Sequence, residues 1–320
     1  MKAPSFSALH PAGVQSERIA ELFFTYAYIA LFVFLGVALV LLLAITRRRR
    51  AGEEEKRQLS HAAFAARYRA VSAATLLSVG SLDAMLVLSV ATGRALASLS
   101  TEDALTVKVI GRKWWWEFTY PASVGGMEFT TAYEMHVPVG RAVQVDLTSA
   151  DVIHSFWVPS LNGKRDAIPG KHSSILLRAD RVGRYEGQCA EFCGAQHANM
   201  RFAVVAESEE DFKAWTAHAL TPAPTPTDPV ERRGQEVFVK SRCAACHAIG
   251  GTEAFATVGP DLTHLASRSH IAMGTLSNTR DHLRGWIADP HSTKPGVMMP
   301  ATALERDDLN ALVTYLASLR

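Results

Sequence analysis

The spacing of apolar and polar residues changes character three times along the chain. Leu22 to Thr46 is a run of 25 residues without a charge. At about 1.5 Å of rise per helical residue it spans roughly 37 Å, enough to cross a hydrocarbon core of about 30 Å. The run is too long for the apolar region of a signal peptide and has no convincing cleavage site, so it predicts a retained transmembrane helix. A second apolar stretch, from about Ala70 to Gly93, is interrupted by Asp83 and several serines. It predicts a second span beside the first. A carboxylate at that depth faces protein or water, and a helix–helix hydrogen bond is its ordinary role.

From residue 104 to 206 the period shortens to two. Val107 and Val109 flank Lys108, and Val143, Val145 and Leu147 alternate with Gln144, Asp146 and Thr148. Ile175 to Leu177 and Phe202 to Val205 are short apolar runs, and Gly and Pro punctuate the segment from Pro138 to Gly187. Several short strands at this spacing predict a β-sandwich or barrel. The cluster Trp114-Trp115-Trp116 lies among them, where aromatic residues ordinarily build core. Ser208 followed by Asp211 resembles a capping box opening a short helix to about His218.

Pro222, Pro224, Pro226 and Pro229 then mark a semi-rigid, extended linker. Beyond it the period is helical: Val230 to Lys240, Asp281 to Ile287, and a C-terminal helix with Leu309, Leu312, Val313 and Leu316 on one face. The expected organisation is a multidomain membrane protein. Residues 1–99 form a tail and a two-helix transmembrane hairpin, 100–220 an all-β domain, 221–229 the linker, and 230–320 an all-α domain.

Charge sets the topology. The net charge of +2 gives no reason to expect a nucleic-acid partner. Residues 47–69, between the two apolar runs, hold eight Lys or Arg against three Glu. The positive-inside rule places that loop in the cytoplasm, and hence the N-terminus and everything after residue 100 on the outer side of the bilayer.

The chemistry lies in the cysteines. There are four, Cys189, Cys193, Cys243 and Cys246, in two tight pairs. A disulfide scaffold would scatter them; close pairing beside His suggests a metal or an attached cofactor. In the first pair, Cys189, Cys193, His197 and Met200 fall within twelve residues. Thiolate, imidazole and thioether together suit copper better than any hard cation, and His154 in Val-Ile-His-Ser-Phe-Trp is the obvious further ligand. A structural zinc site is the competing assignment, with Met200 a poor zinc ligand. His136, His172 and His218 have no such context and are expected at the surface. The second pair forms Cys243-Ala-Ala-Cys246-His247, the attachment signature of a c-type haem. The two thiols form the thioethers, and His247 is the iron ligand. A Met is expected on the other side of the iron, and Met298 and Met299 are both available. Met273 is expected in core or loop.

Gly187-Gln-Cys-Ala-Glu-Phe-Cys-Gly-Ala-Gln-His-Ala-Asn-Met200, with a His 35 residues before the first Cys, resembles the CuA motif of cytochrome c oxidase subunit II. The likeness extends over roughly residues 15–210 and includes Asp-Ala-Ile-Pro-Gly-Lys at 166–171. Residues 228–320 resemble a class I cytochrome c. The resemblance implies a cupredoxin-like fold in which Cys189 and Cys193 bridge two coppers. His154 and Met200 would serve one copper, and His197 and the Glu191 carbonyl the other. The Glu191 side chain would help hold a Mg²⁺ shared with subunit I. Trp114 would be the residue that receives electrons. Similar haem domains take the Met that directly precedes Pro, which favours Met299 over Met298.

The implied function is subunit II of a respiratory haem–copper cytochrome c oxidase. Electrons would pass from an external cytochrome c or similar donor through the c haem and CuA to subunit I, where oxygen is reduced to water. Subunit III is a further implied partner. The implied location is the bacterial inner membrane, multi-pass, with both soluble domains in the periplasm. Two alternatives stay open: a copper-and-haem subunit of a nitric oxide reductase relative, and a stand-alone membrane-tethered electron carrier. One feature departs from the pattern. Many relatives open the second span with Glu before a Trp-Thr…Pro sequence, at the mouth of a proton channel. Here that stretch reads Arg67-Tyr-Arg-Ala-Val-Ser-Ala-Ala-Thr75.

Overall fold

The computed structural model describes residues 6–50, 61–99 and 101–320. Two long helices come first, α1 (Val14–Arg50) and α2 (His61–Ala97). Both are long and apolar enough to cross a membrane. Within them Phe32, Phe34, Leu76 and Leu77 are all more than 60% exposed, so most of the apolar surface of the pair has no protein partner. Such surface is stable only against lipid or further helices. Asp83 is exposed on α2, and the helix–helix hydrogen bond is made nearby instead: the Tyr26 hydroxyl donates to the Met85 carbonyl. Of the arginine-rich stretch 47–69, residues 51–60 lie outside the described residues.

The β domain contains ten strands. They are β1 (Leu105–Arg112), β2 (Trp115–Tyr120), β3 (Phe129–Ala132), β4 (Glu134–Pro138), β5 (Val143–Ser149), β6 (His154–Trp157), β7 (Lys164–Ala167), β8 (Ser173–Leu177), β9 (Gly183–Cys189) and β10 (Arg201–Glu207). One sheet has the order β3-β2-β1-β5-β8 and the other β4-β10-β9-β6-β7. The alternation read in the sequence is the burial pattern: Leu105, Val107 and Val109 of β1 and Val143, Val145 and Leu147 of β5 point inward. In parallel register, Val107 lies opposite Val145. Between the sheets Trp116, Phe156 and Phe202 pack with ring centroids 4.5–5.8 Å apart. This is the sandwich that the period-two segments predict. A helical turn, α3 (Ala122–Gly125), follows β2, and α4 (Glu209–Ala219) follows β10. Ser208 caps α4 by accepting from the Asp211 amide, as its spacing predicts.

His136 differs from expectation. Its side chain is only 12% exposed and stacks on Trp215 at 4.2 Å. The neighbour that covers it is 79 residues away in sequence, so local spacing carries no sign of it. His172 and His218 are exposed.

The C-terminal domain contains α5 (Pro229–Lys240), α6 (Arg280–Ala288), a short turn α7 (Pro290–Thr293) and α8 (Arg306–Leu316). The first of these begins one residue before the expected boundary, because Asp228 caps it and proline is compatible with a first helical position. Its core includes Val237, Phe238, Leu283, Ile287, Leu312 and Leu316, the inward faces of the three longer helices. The linker is held rather than free: the Ala223 amide donates to the Gly250 carbonyl at 2.9 Å.

Candidate functional site

Cys189 ends β9, and the chain leaves the sheet in a loop that returns through Met200 into β10. His154 opens β6, whose residues Phe156 and Trp157 pair with Cys189 and Gln188. Strand pairing therefore brings a residue 35 positions away to the loop. The sulfurs of Cys189 and Cys193 lie 3.8 Å apart. His154 Nδ1 is 3.8 Å from the Cys189 sulfur, and His197 Nδ1 is 3.6 Å from that of Cys193. The Met200 sulfur is 3.8 Å from Cys193, and the Glu191 carbonyl is 3.3 Å from Cys189. All six expected copper ligands thus gather around the two thiols. Two ligands each about 2.3 Å from one ion at the tetrahedral angle stand about 3.8 Å apart, the separation of these neighbouring donors. His154, Cys189, Cys193 and Met200 are buried, whereas the Glu191 side chain is exposed.

The protonation of the donors sets what an incoming ion must displace. The hydrogen bond from Cys193 brings Cys189 down to about 4, against the opposing effect of burial. The same partnership raises Cys193, so the pair releases its first proton readily and holds the second. An incoming cation would displace the remaining proton. Burial disfavours a charged His154, but hydrogen bonds with Cys189 and Asp151 outweigh it and raise its pKa. Asp151 accepts from His154 Nε2 at 2.7 Å and from the backbone amides of Lys113 and Val152 at 2.6 and 2.7 Å. With Nε2 donating to a fixed carboxylate, Nδ1 is the atom left to face the sulfurs.

Two residues essential to this geometry carry no ligand chemistry. Asp151 is one, and its place three residues before His154 is the signal that could have revealed it. Gly111 is the other. A Cβ there would lie 2.7 Å from the His154 ring, so only glycine lets β1 pass this close.

Trp114 lies directly on the copper loop, 9% exposed, with its indole N–H donating to the Cys193 carbonyl at 2.9 Å. Trp115 and Trp116 are buried as well, in keeping with the ordinary role of strand aromatics.

The haem-attachment signature forms a 3₁₀ turn, Cys243–Ala245, directly after α5. Cys243, Cys246 and His247 are half-buried. His247 Nδ1 lies 2.7 Å from the Pro260 carbonyl, so it donates there and keeps Nε2 available as a ligand atom. Burial holds the His247 pKa below its ordinary value and so favours the neutral ring that iron requires. A Cβ on Gly259 would meet this ring at 2.6 Å. Of the two candidate methionines, Met299 packs against the apolar core of the domain, as Cys243 and Ala244 do, whereas Met298 is 77% exposed. Met273 is buried against Trp115, Ala132 and Tyr133 of the β domain. The thiols, the oriented imidazole and an inward thioether suit a covalently attached haem.

Residues 125–208 match the family described as cytochrome c oxidase subunit II, periplasmic domain, and residues 231–320 match the cytochrome c family. Cytochrome c oxidase subunit 2 of Alkalihalophilus pseudofirmus is 39% identical over 220 residues, covering 68% of this chain and 62% of the relative. The corresponding protein of Bacillus subtilis is 34% identical over 230 residues, covering 68% of this chain and 63% of its own. The chain therefore spans a little under two thirds of the length of these relatives. Among solved structures, the periplasmic domain of subunit II of cytochrome oxidase from Bradyrhizobium japonicum is 36% identical, with a TM-score of 0.34. It covers 36% of this chain and 92% of that one.

Proposed function

Because its β domain belongs to the cytochrome c oxidase subunit II family and a cytochrome c domain follows it, we propose that this membrane-anchored chain is the electron-input subunit of a respiratory haem–copper oxidase. Bound in the two sites, a binuclear copper centre and a c haem supply the one-electron chemistry between a cytochrome c donor and the oxygen-reducing subunit I. The observation that carries this reading is the convergence of two imidazoles and a thioether on two buried thiols, their nearest contacts 3.6–3.8 Å long.

The residues of this chain have separable tasks. Cys189 and Cys193 would hold the copper through their sulfurs, with His154, His197, Met200 and the Glu191 carbonyl as the further donors. Asp151 orients His154. Cys243 and Cys246 would attach the haem, and His247 and Met299 would supply the donors to its iron. Trp114, bonded to the Cys193 carbonyl, receives electrons for the copper loop. The exposed Glu191 carboxylate is free to share a Mg²⁺ with subunit I. Burial of His154, Cys189, Cys193 and Met200 keeps water away from most of the donor set. The soluble domains lie in the periplasm of a bacterium, with the inner membrane holding both spans.

The test is electron paramagnetic resonance of the oxidised complex extracted in detergent. The expected spectrum shows one electron shared by two equivalent copper nuclei beside a low-spin c haem. A localised mononuclear copper signal, or none at full metal loading, would overturn the copper assignment. Copurification with a subunit that reduces nitric oxide, or with no catalytic subunit, would overturn the oxidase assignment.

A further inference from the structure

The C-terminal domain reaches the β domain through a buried lysine. Lys294, directly after α7, is 2% exposed. Its ammonium donates to the Asn199 carbonyl at 3.0 Å and, by longer bonds, to the carbonyls of Ala272 at 3.4 Å and Trp114 at 3.5 Å. No carboxylate faces it among its hydrogen-bond partners. Burial lowers its pKa to about 8, with the Cys193 sulfur acting in the opposite sense. An ammonium held by carbonyls alone is costly to bury, and it persists only where its partners fix it closely.

The partners determine what it does. Asn199 immediately precedes Met200, and Trp114 bonds the Cys193 carbonyl. Next along the chain, the Pro295 carbonyl accepts from the Gln196 side chain at 2.8 Å, and Gln196 immediately precedes His197. Met298 and Met299 follow four and five residues after Lys294. The segment that supplies the methionine side of the haem site is thus bonded to the loop that supplies the copper ligands. A second contact lies elsewhere: Ser269 donates to Glu134 through its hydroxyl at 2.5 Å and its amide at 3.1 Å.

We propose that Lys294 is a positioning residue that latches the methionine loop of the cytochrome c domain onto the copper loop and Trp114, and so sets the rate of electron transfer between the two domains. This rests on the copper and haem assignments above. With the latch closed, Trp114 exposes only 9% of its surface, so an outside donor delivers to the cytochrome c domain rather than to Trp114.

The test uses the full-length chain in its complex and the substitution Lys294→Met, which keeps the aliphatic length and removes the donor. Hydrogen bonds from a charged group are strong enough that haem-to-copper transfer, followed after flash reduction of the haem, should slow on the order of tenfold. The spectra of both centres should stay as in the parent protein; a merely structural lysine would lower stability and leave this rate alone. An unchanged rate in a variant with both spectra intact overturns the proposal. Absence of either spectrum from the parent protein would instead defeat the copper or haem assignment. Should the variant not fold, amine labelling of the parent complex followed by mass spectrometry still decides. Lys294 should be protected relative to Lys213 and Lys240, whose side chains are 72% and 74% exposed. Equal labelling of all three overturns the proposal.

Discussion

The copper loop and the haem segment reach comparable chemistry by opposite routes. In the β domain the donor atoms are already assembled: two sulfurs 3.8 Å apart, with two imidazoles and a thioether against them. Strand pairing and the Asp151 carboxylate against His154 achieve this, and an ion has only to displace protons. In the helical domain the attachment residues lie in one turn after α5, while Met299 lies more than fifty residues further on, before α8. The two share only an apolar cluster. A small ion can be enclosed by one rigid loop. A haem is the size of several side chains, so its ligands must come from separate elements that pack around it. The lesson is that the copper site depends on fine second-neighbour geometry, whereas the haem site depends on which side chains face inward.

Replacing Cys189 by Ser should abolish the shared-electron copper signal entirely and leave the haem spectrum intact. Loss of both signals in a folded chain would mean that the sites are not independent. Met299→Ala should remove the low-spin His/Met spectrum, whereas Met298→Ala should retain it, since Met298 is 77% exposed. Optical spectra of the reduced and oxidised variants check this, and the reverse pattern would reassign the ligand. Asp151→Ala removes the acceptor that orients His154, and copper affinity, measured by competition with a chelator, should fall about 10–100-fold. Unchanged affinity would show that the sandwich alone orients the ring and would weaken the contrast.

Much of this was legible in the residues. The period-two segments around Val107 and Val145 marked the sandwich, because an inward face must be apolar at every second position. The uncharged run from Leu22 marked a span, because a charge at that depth is costly. The cysteine pairs and His197 are legible as candidate ligands, because ligand atoms must be close and short loops make them so. His154 is legible only as a suitable residue type in a suggestive context, since pairing of β6 with β9 is what places it.

Tertiary structure alone decided the remainder. His136 is covered by Trp215, and the interhelical bond is made by Tyr26 rather than Asp83, because both outcomes depend on neighbours distant in sequence. Gly111 reads as an ordinary strand glycine until the His154 ring is found against it. Lys294 reads as a solvated charge before a proline until two domains close over it. A sequence determines which residues can ligate, span or alternate, because those are properties of side chains and local spacing. Which of them meet is determined by packing, because contact energy exists only once distant segments share a surface.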